Sequence, residues 1–425
     1  MPLPKSRSSS DGQTGHMNDG VGLLEMEDLE RGHGILGQPG GAHPRSVLTR
    51  FTTWAAHLVL RFICYPPPGT LRLRRTSWLD GVRGVAALNV YMFHAMGLWT
   101  FLVPAWHADK DQTSILQLPL LRTLFVAGGG AVSVFFVLSG YVLTHRCLRL
   151  IRSGAARDVY PAVGSSMFRR GFRLYLPPVL LTFAEMLATR LGYPPPLNFD
   201  FVPEPTFAGQ LWDWVVETNK LINPAHNFSR AIRGFVTHPK YDAVIWTIPV
   251  EFYGSFVCYF LLLALARVPA ARTRMAAVAL LVCVPSMALG CWNICCFTAG
   301  MLIADFNLGQ EEDEEEEENK EEEEEERGEQ PERMSPTRDR RTVSMSTSRR
   351  TARRRRRRFL WVLALLAALY LASFPTLVYP ESRAGPAPGF EALRALIPPA
   401  CRARMEDPAR FWWSVAGVLL LLSLS

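Results

Sequence analysis

Residues 243–266 read AVIWTIPVEFYGSFVCYFLLLALA, and this run of sequence decides the fold class. Glu251 is its single charged residue, and the remainder is almost entirely apolar. At about 1.5 Å per residue, a helix of this length covers the ~30 Å hydrocarbon layer of a bilayer. A segment in lipid must satisfy its backbone hydrogen bonds internally, so the run predicts a membrane-spanning α-helix.

Comparable apolar runs recur through the chain of 425 residues. A hydrophobic fraction of 48% with 20% charged residues also fits a soluble protein. What indicates a membrane protein is that the charged residues cluster between the apolar runs. We therefore predict an all-α fold, a polytopic transmembrane helix bundle with about eight spans. The predicted spans lie at about 83–103, 124–144, 174–191, 243–266, 275–290, 292–305, 359–378 and 410–425. The short run 292–305 is also compatible with a re-entrant or tilted segment.

Basic residues near the span ends predict the orientation of the chain. Alternate crossing places all of them in the cytoplasm and places the segment 192–242 in the lumen, where its sequon Asn227-Phe228-Ser229 can be glycosylated. We expect an integral, multi-pass protein of an endomembrane or the plasma membrane, with a cytoplasmic N-terminus. The net charge of +7 is interpreted in the same way, with contacts to membrane lipid and no nucleic-acid partner. The basic residues concerned are Arg72, Arg74, Arg75, Arg146, Arg149, Arg152, Arg157, Arg169, Arg170, Arg173, Arg267, Arg272, Arg274 and Arg353 to Arg358.

Composition divides the chain into four parts. Residues 1–76 predict a disordered cytoplasmic tail with a short amphipathic stretch at Phe51–Cys64. Residues 77–306 are expected to form most of the transmembrane core, and 307–358 a disordered, charged cytoplasmic loop that carries a Glu-rich run. Residues 359–425 continue the core, and because they end inside an apolar run we expect the bundle to be incomplete.

The eight cysteines lie mostly within or beside apolar runs, where Cys usually behaves as a small hydrophobe. Cys291, Cys295 and Cys296 form a cluster, but no histidine or second cysteine pair accompanies them at the spacing of a zinc site. The sequence therefore predicts no metal site.

Ionisable side chains inside a bilayer cost about 2.5–3.5 kcal/mol on insertion scales, so each is expected to have a partner or a function. Arg83 and His94 are eleven residues apart, close to three helical turns, which places both on one helix face. If Arg83 marks the cytoplasmic edge, His94 lies about 16 Å deeper, near the midplane. An imidazole there can act as a general base. The alternative is a histidine that is hydrogen-bonded between helices as part of the packing.

Glu251 is predicted to lie about 12 Å below the luminal edge of its span, at nearly the depth of His94. A carboxylate and an imidazole at one depth can form a pair, in which the carboxylate orients the imidazole base and supports its charge. The alternative is that Glu251 only anchors a backbone kink at Pro249.

Arg169 and Arg173 stand one turn apart at the predicted cytoplasmic interface. Two guanidinium groups at this spacing suit a multiply charged phosphate ligand. The other interpretation is positive-inside anchoring with contacts to lipid phosphates. Ser139-Gly140 is a small pair suited to the close approach of two helices, and a nucleophilic Ser139 has no base nearby in the sequence.

Taken together, these segments resemble the membrane-bound acyltransferase-3 family, particularly its fungal members. The resemblance covers about residues 77–305 well. The chain departs from the family in its later part, where a Gly-Arg-Ile-Ser-like stretch and a further histidine are absent, with about eight predicted spans against about ten. The matching motifs are Leu79 to Gly84 continuing to Phe93-His94, Phe135 to Thr144, Arg169 with Arg173, Trp246 with Glu251 and Tyr253, and Gly300 to Asp305.

The resemblance implies an enzyme that transfers an acyl group, commonly acetyl, from cytoplasmic acyl-coenzyme A to a hydroxyl of a carbohydrate or small molecule. Acyl-coenzyme A would be a co-substrate, and no bound cofactor is expected. The alternative from another class is a non-catalytic membrane protein, either a transporter or a truncated scaffold, in which the polar residues line a path or merely pack.

The resemblance also implies roles for individual residues. The family's essential histidine and arginines map onto His94, Arg83, Arg169 and Arg173. His94 would deprotonate the acceptor hydroxyl, and the Arg169–Arg173 pair would hold the coenzyme A phosphates. Arg83, oriented by Asp80, would polarise the thioester carbonyl or bind a phosphate.

Overall fold

The computed structural model describes residues 77–96, 103–110, 113–195, 201–234, 239–328, 359–377 and 387–424. These residues form helices joined by turns and irregular segments, and the part of the chain described in this way contains no strand. The all-α fold class is therefore confirmed. The longer helices are α1 (Ser77–Met96), α2 (Gly128–Arg152), α3 (Ala156–Arg190), α4 (Phe207–Ile222), α5 (Pro224–Ile232) and α6 (Thr247–Leu265). They are followed by α7 (Ala271–Val278), a π-turn (Ala279–Cys283), α8 (Val284–Ala288), α9 (Trp292–Gly328), α10 (Phe359–Ala372), α11 (Glu391–Leu396), α12 (Pro399–Arg404) and α13 (Arg410–Leu424).

Helix α2 lies at the centre of the bundle, where it contacts α1, α3, α6, α9 and α13. Its closest neighbour is α9, because glycines on both helices let the backbones approach. A methyl group added at Gly140 would overlap the carbonyl oxygen of Phe297, and one added at Gly300 would overlap that of Val137. The predicted packing role of Gly140 is thus confirmed.

Three helical segments of the described chain are long and apolar enough to cross a membrane, namely Gly128–Arg152, Ala243–Leu265 and Ala271–Ala288. The second includes a 3-10 turn, Ala243–Trp246, that leads into α6. Two shorter apolar helices, α10 and α13, coincide with the last two predicted spans. The described part of each predicted span therefore includes a helix, although the bounds differ, and the number of crossings and the orientation remain predictions.

Helix α3 begins much earlier than its predicted span. It runs for 35 residues from Ala156, although the span was predicted to start at about 174. Hydropathy detects the part of a helix that suits lipid, whereas the helix itself continues through its polar, basic first half. Pro161, Pro177 and Pro178 lie inside it without ending it, which neighbouring helices permit because they can satisfy the freed carbonyl groups.

Helix α9 also extends beyond its predicted end. The residues from 307 to 328 were expected to belong to a disordered loop, but the helix continues through the Glu-rich run to Gly328. Glutamate is a good helix former, and a helix that is already nucleated adds residues at little cost. The first turn of the run is also anchored, because Arg149 and Arg152 of α2 pair with Glu311 and Glu312 at 3.3 and 2.5 Å. The expectation of disorder is wrong for this part.

Several other predicted features fall outside the described residues. These are the N-terminal tail with its amphipathic stretch, the rest of the charged loop from 329, and the Arg353–Arg358 run. Among the described residues, the loop between α3 and α6 is folded. Trp214 of α4 donates to the hydroxyl of Thr182 on α3 at 3.2 Å, which holds α4 against α3.

Candidate active site

His94 lies near the last turn of α1, half-buried, with its ring edge-to-face against Phe93 at a centroid distance of 5.3 Å. The ring of Phe93 packs against Gly128, the first residue of α2. We call the end of the bundle where α2 begins the upper end, and the end where α2 finishes the lower end. His94 is therefore at the upper end.

Glu251 lies in the middle of the bundle, where it joins three helices. Its Oε1 accepts a hydrogen bond from the hydroxyl of Ser139 on α2 at 3.2 Å and pairs with the guanidinium of Arg170 on α3 at 2.8 Å. The Nε of Arg170 also donates to the hydroxyl of Ser255 at 2.5 Å. We call Ser139, Arg170, Glu251 and Ser255 the middle cluster.

The structure separates His94 from Glu251, contrary to the prediction of a pair at one depth. Ser139, which contacts Glu251, comes eleven residues after Gly128, which contacts Phe93. Along α2 that separation is about 16 Å. The prediction failed because it placed Arg83 at the cytoplasmic edge. The start of α1 instead packs against the middle of α2, through Trp78 and Tyr141, so the whole helix lies toward the upper end.

Asp242 is the carboxylate that acts on the charge of His94, and it also interacts electrostatically with Glu185 of α3. It caps the 3-10 turn before α6, since its side chain accepts from the backbone N–H of Val244 at 2.8 Å. The sequence analysis did not single out Asp242. Its signal was present nonetheless, because an Asp directly before an apolar helix is a favoured N-cap.

Tyr241, next to Asp242 in the chain, fixes this segment to α4. Its buried hydroxyl donates to Asp213 at 2.8 Å, and Lys240 pairs with the same carboxylate at 2.7 Å. Burial and the adjacent Asp213 raise the pKa of Tyr241 well above its usual value. The hydroxyl therefore stays protonated and remains a donor, which holds the backbone that carries Asp242.

Asp80 and Arg83 lie near the beginning of α1, away from His94. This part of α1 is level with the middle of α2, where Trp78 packs against Tyr141. Asp80 and Arg83 are both exposed, and they form an ion pair at 3.9 Å. The predicted orientation of Arg83 by Asp80 thus has a counterpart in the structure. Eleven residues of helix separate Arg83 from His94, about 16 Å, so the two side chains cannot act on one reacting atom.

Arg169 and Arg173 are exposed on α3, and the arginine between them, Arg170, points into the bundle. The ion pair of Arg170 with Glu251 places this stretch level with the middle of α2 and not at the lower interface, where Arg169 and Arg173 were predicted. The reason is the early start of α3, which puts 13 residues before Arg169. The sequence analysis treated Arg170 only as part of the basic loop.

A second charged group lies at the lower end. The carboxylate of Asp305 on α9 accepts two hydrogen bonds from Arg274, at 2.7 and 2.6 Å, and one from Arg152 at 2.8 Å. Arg274 also donates to the carbonyl of Val268 at 2.8 Å. We call Arg152, Arg274 and Asp305 the lower cluster. The described residues include no group of side chains placed to hold a metal ion.

Comparisons with known proteins identify the family that the sequence resembles. The sequence model of the acyltransferase-3 family, described as an acyltransferase domain, matches residues 76–425. The O-acetyltransferase PaAT-1 of Phomopsis amygdali is 30% identical over 376 residues, which are 83% of this chain and 66% of that protein.

Two further relatives are more distant. An acyltransferase of a Phoma species is 23% identical over 82% of this chain and 75% of its own length. An acyltransferase of Cochliobolus lunatus is 24% identical over 82% of this chain and 76% of its own length. The chain thus spans just under two thirds of PaAT-1 and about three quarters of the other two. No solved structure matches the chain.

Proposed function

The chain belongs to the acyltransferase-3 family, and on that premise we propose that it moves an acyl group, acetyl in the first instance, from acyl-coenzyme A to a hydroxyl group. The acceptor is a carbohydrate or a small molecule. The observation that carries the proposal is the family match across residues 76–425. The sequence motif that ends at His94 lies within these residues. The relative named as an O-acetyltransferase supports acetyl as the group and oxygen as its destination.

The proposed topology places the upper end in the lumen and the lower end in the cytoplasm. Arg146, Arg149 and Arg152 at the end of α2 support this orientation, because basic residues are retained on the cytoplasmic side. The protein would then cross the membrane several times, with acyl-coenzyme A entering from the lower end and the acceptor approaching His94 from the upper end.

His94 is the proposed general base. Its half-buried imidazole can take a proton from the acceptor hydroxyl near neutral pH. The neighbouring charge of Asp242 would stabilise the imidazolium that forms, which is the role that the sequence analysis gave to Glu251. Glu251 is then a positioning residue that acts through Arg170, since its carboxylate is engaged in the middle cluster.

Arg83 is proposed to bind a phosphate of the donor, held by Asp80. Its distance from His94 argues against polarisation of the thioester carbonyl, the other role considered for it. Arg169 and Arg173 present two exposed guanidinium groups one turn apart, which suits the remaining phosphates. The donor would therefore reach from the lower end up to these arginines, which are level with the middle of α2.

A transfer assay tests the proposal. Membranes that contain the full chain are given labelled acetyl-coenzyme A and a panel of sugars, glycolipids and small alcohols, and ester-linked label is measured. We expect wild-type transfer and a loss of at least 100-fold in His94→Ala, because general base catalysis contributes about 10²–10⁴-fold.

His226→Ala is the matched control, since His226 is an exposed histidine on α5, outside the proposed site. It should transfer label like the wild type. Equal transfer by His94→Ala and wild type would show that His94 is not the base. No transfer by any form, with the protein folded, would favour the alternative of a transporter or scaffold.

A further inference from the structure

A pair of cysteines at the upper end has no part in the proposed reaction. Cys283, the last residue of the π-turn, and Cys295, in the first turn of α9, place their sulfur atoms 3.5 Å apart. The thiol of Cys283 also donates to the backbone carbonyl of Cys295 at 3.7 Å. The sequence analysis noted Cys295 in a cluster with Cys291 and Cys296 but did not connect it with Cys283.

The π-turn accounts for this contact. An extra residue in a helical turn rotates every later side chain by about 100° relative to a regular α-helix. Ala279–Cys283 forms such a turn between α7 and α8, and one side of it packs against α9. The register at which Cys283 meets Cys295 thus depends on an irregularity that the hydrophobic pattern does not show.

The neighbouring cysteines are engaged differently. The thiol of Cys401 donates to the carbonyl of Met287 at 3.5 Å, and Cys296 is completely buried on α9. Cys291 is half-buried in the turn that precedes α9. Cys283 and Cys295 are the one pair of described cysteines with a recorded sulfur–sulfur contact, and both are free thiols in this structure.

We propose that Cys283 and Cys295 form a disulfide that joins the π-turn to α9. The two thiols together give up two protons and two electrons to an external disulfide, either a small-molecule disulfide such as oxidised glutathione or a protein disulfide. That disulfide is reduced to two thiols, so atoms and electrons balance. Closure brings the sulfurs from 3.5 Å to about 2.05 Å, a movement within reach of rotation about the two side-chain bonds.

The position of the pair allows this exchange. Cys283 lies five residues before the end of α8, and Cys295 three residues after the start of α9. These are distances of about 8 and about 5 Å from the upper end. If that end faces the lumen, as the proposed topology has it, the thiols lie on the side where disulfides persist. The bond would close a loop of twelve residues and restrict the unfolded chain.

The test uses the full chain, purified in detergent and incubated with oxidised or with reduced glutathione. Free thiols are blocked with N-ethylmaleimide in denaturant, and the protein is digested with trypsin and chymotrypsin without reduction. Trypsin alone leaves Met275–Lys320 intact, because no Lys or Arg lies between Arg274 and Lys320. Chymotrypsin cuts after Trp292 and so separates Cys283 from Cys295.

We expect mass spectrometry to find the two peptides linked in the oxidised sample and released after reduction. Cys291→Ser is the matched control and should retain the link, whereas Cys283→Ser and Cys295→Ser should each lose it. The melting temperature of the wild type should fall on reduction, and that of Cys283→Ser should not change.

The wild-type sample alone can overturn the proposal, whatever the variants do. Alkylation of both Cys283 and Cys295 after treatment with oxidised glutathione would do so, as would a link from either one to Cys291 or Cys401. Because glutathione is added to the solubilised protein, the result does not depend on the proposed topology or on transfer activity.

Discussion

The middle cluster and the lower cluster both hold charged side chains between helices, but they differ in exposure and in the number of bonds per charge. In the lower cluster the side chains of Arg274 and Asp305 are 0% and 3% exposed, and the Asp305 carboxylate receives three guanidinium hydrogen bonds. In the middle cluster the side chains of Arg170 and Glu251 are 18% and 23% exposed, with one ion pair.

The difference indicates different roles. A buried carboxylate between two arginines is costly to desolvate, and removing it leaves the buried charge of Arg274 without its ion-pair partner. Such a group fixes the end of α2 and the short helix α7 against the middle part of α9. The side chains of the middle cluster are partly exposed, and its two hydroxyl groups can exchange hydrogen-bond partners. This suits a cluster in which Glu251 positions Arg170 during a reaction.

The largest expected effect is that of Asp305→Asn in the lower cluster. The change removes the only negative charge between Arg152 and Arg274 within that cluster, so we expect a loss of about 3–5 kcal/mol in the free energy of unfolding. The measurement is thermal unfolding of the detergent-solubilised protein, followed by size-exclusion chromatography.

Glu312→Gln is the control for this change. Glu312 pairs with the same Arg152 but is half exposed, so we expect an effect below about 1 kcal/mol. If Asp305→Asn unfolds at the wild-type temperature, the lower cluster does not stabilise the packing of α2, α7 and α9.

The next effect is that of Glu251→Gln in the middle cluster. Water can reach this site, so the expected loss of stability is smaller, about 1–3 kcal/mol. Transfer of the acyl group should nonetheless fall by at least about 10-fold, because Arg170 loses its ion pair and its fixed orientation. Stability and label transfer are measured on the same preparation.

One outcome of this experiment would remove the proposed difference between the two clusters. A stability loss as large as that of Asp305→Asn, with activity per folded molecule unchanged, would make both clusters structural. The double variant Arg170→Gln with Glu251→Gln then measures the coupling energy of the pair directly.

The smallest effect is expected for Ser139→Ala. Its hydroxyl donates one long hydrogen bond, 3.2 Å, to the partly exposed Glu251, so we expect a loss of only about 0.5–1.5 kcal/mol and transfer within about 10-fold of the wild type. The structure does bring a carboxylate to Ser139, which the sequence analysis did not foresee. That carboxylate is also paired with Arg170 at 2.8 Å.

Ser133→Ala is the matched control, since the Ser133 hydroxyl bonds only to the Gly129 carbonyl of its own helix, at 3.2 Å. Complete loss of transfer in Ser139→Ala, with Ser133→Ala active, would instead identify Ser139 as a nucleophile that carries the acyl group.

The arginines of α3 show how far the sequence could be used to predict the site. The stretch from Met167 to Pro178 correctly predicted a helix, and Arg169 and Arg173 do share one exposed face of it. The arginine that enters the bundle is Arg170, which differs from its neighbours by one residue and about 100° of rotation. Periodicity alone could not select it, because the start of the helix was misplaced.

Sequence alone determined that the chain is an all-α bundle, where its apolar helices lie and to which family it belongs. Those conclusions follow from segment hydrophobicity and from motifs, which are properties of the chain itself. Tertiary structure alone decided that Glu251 meets Arg170, that His94 lies near Asp242, and that Cys283 reaches Cys295. The physical reason is geometric. A shift of one residue moves a side chain by about 1.5 Å along its helix and about 100° around it, and only packing against other helices fixes both.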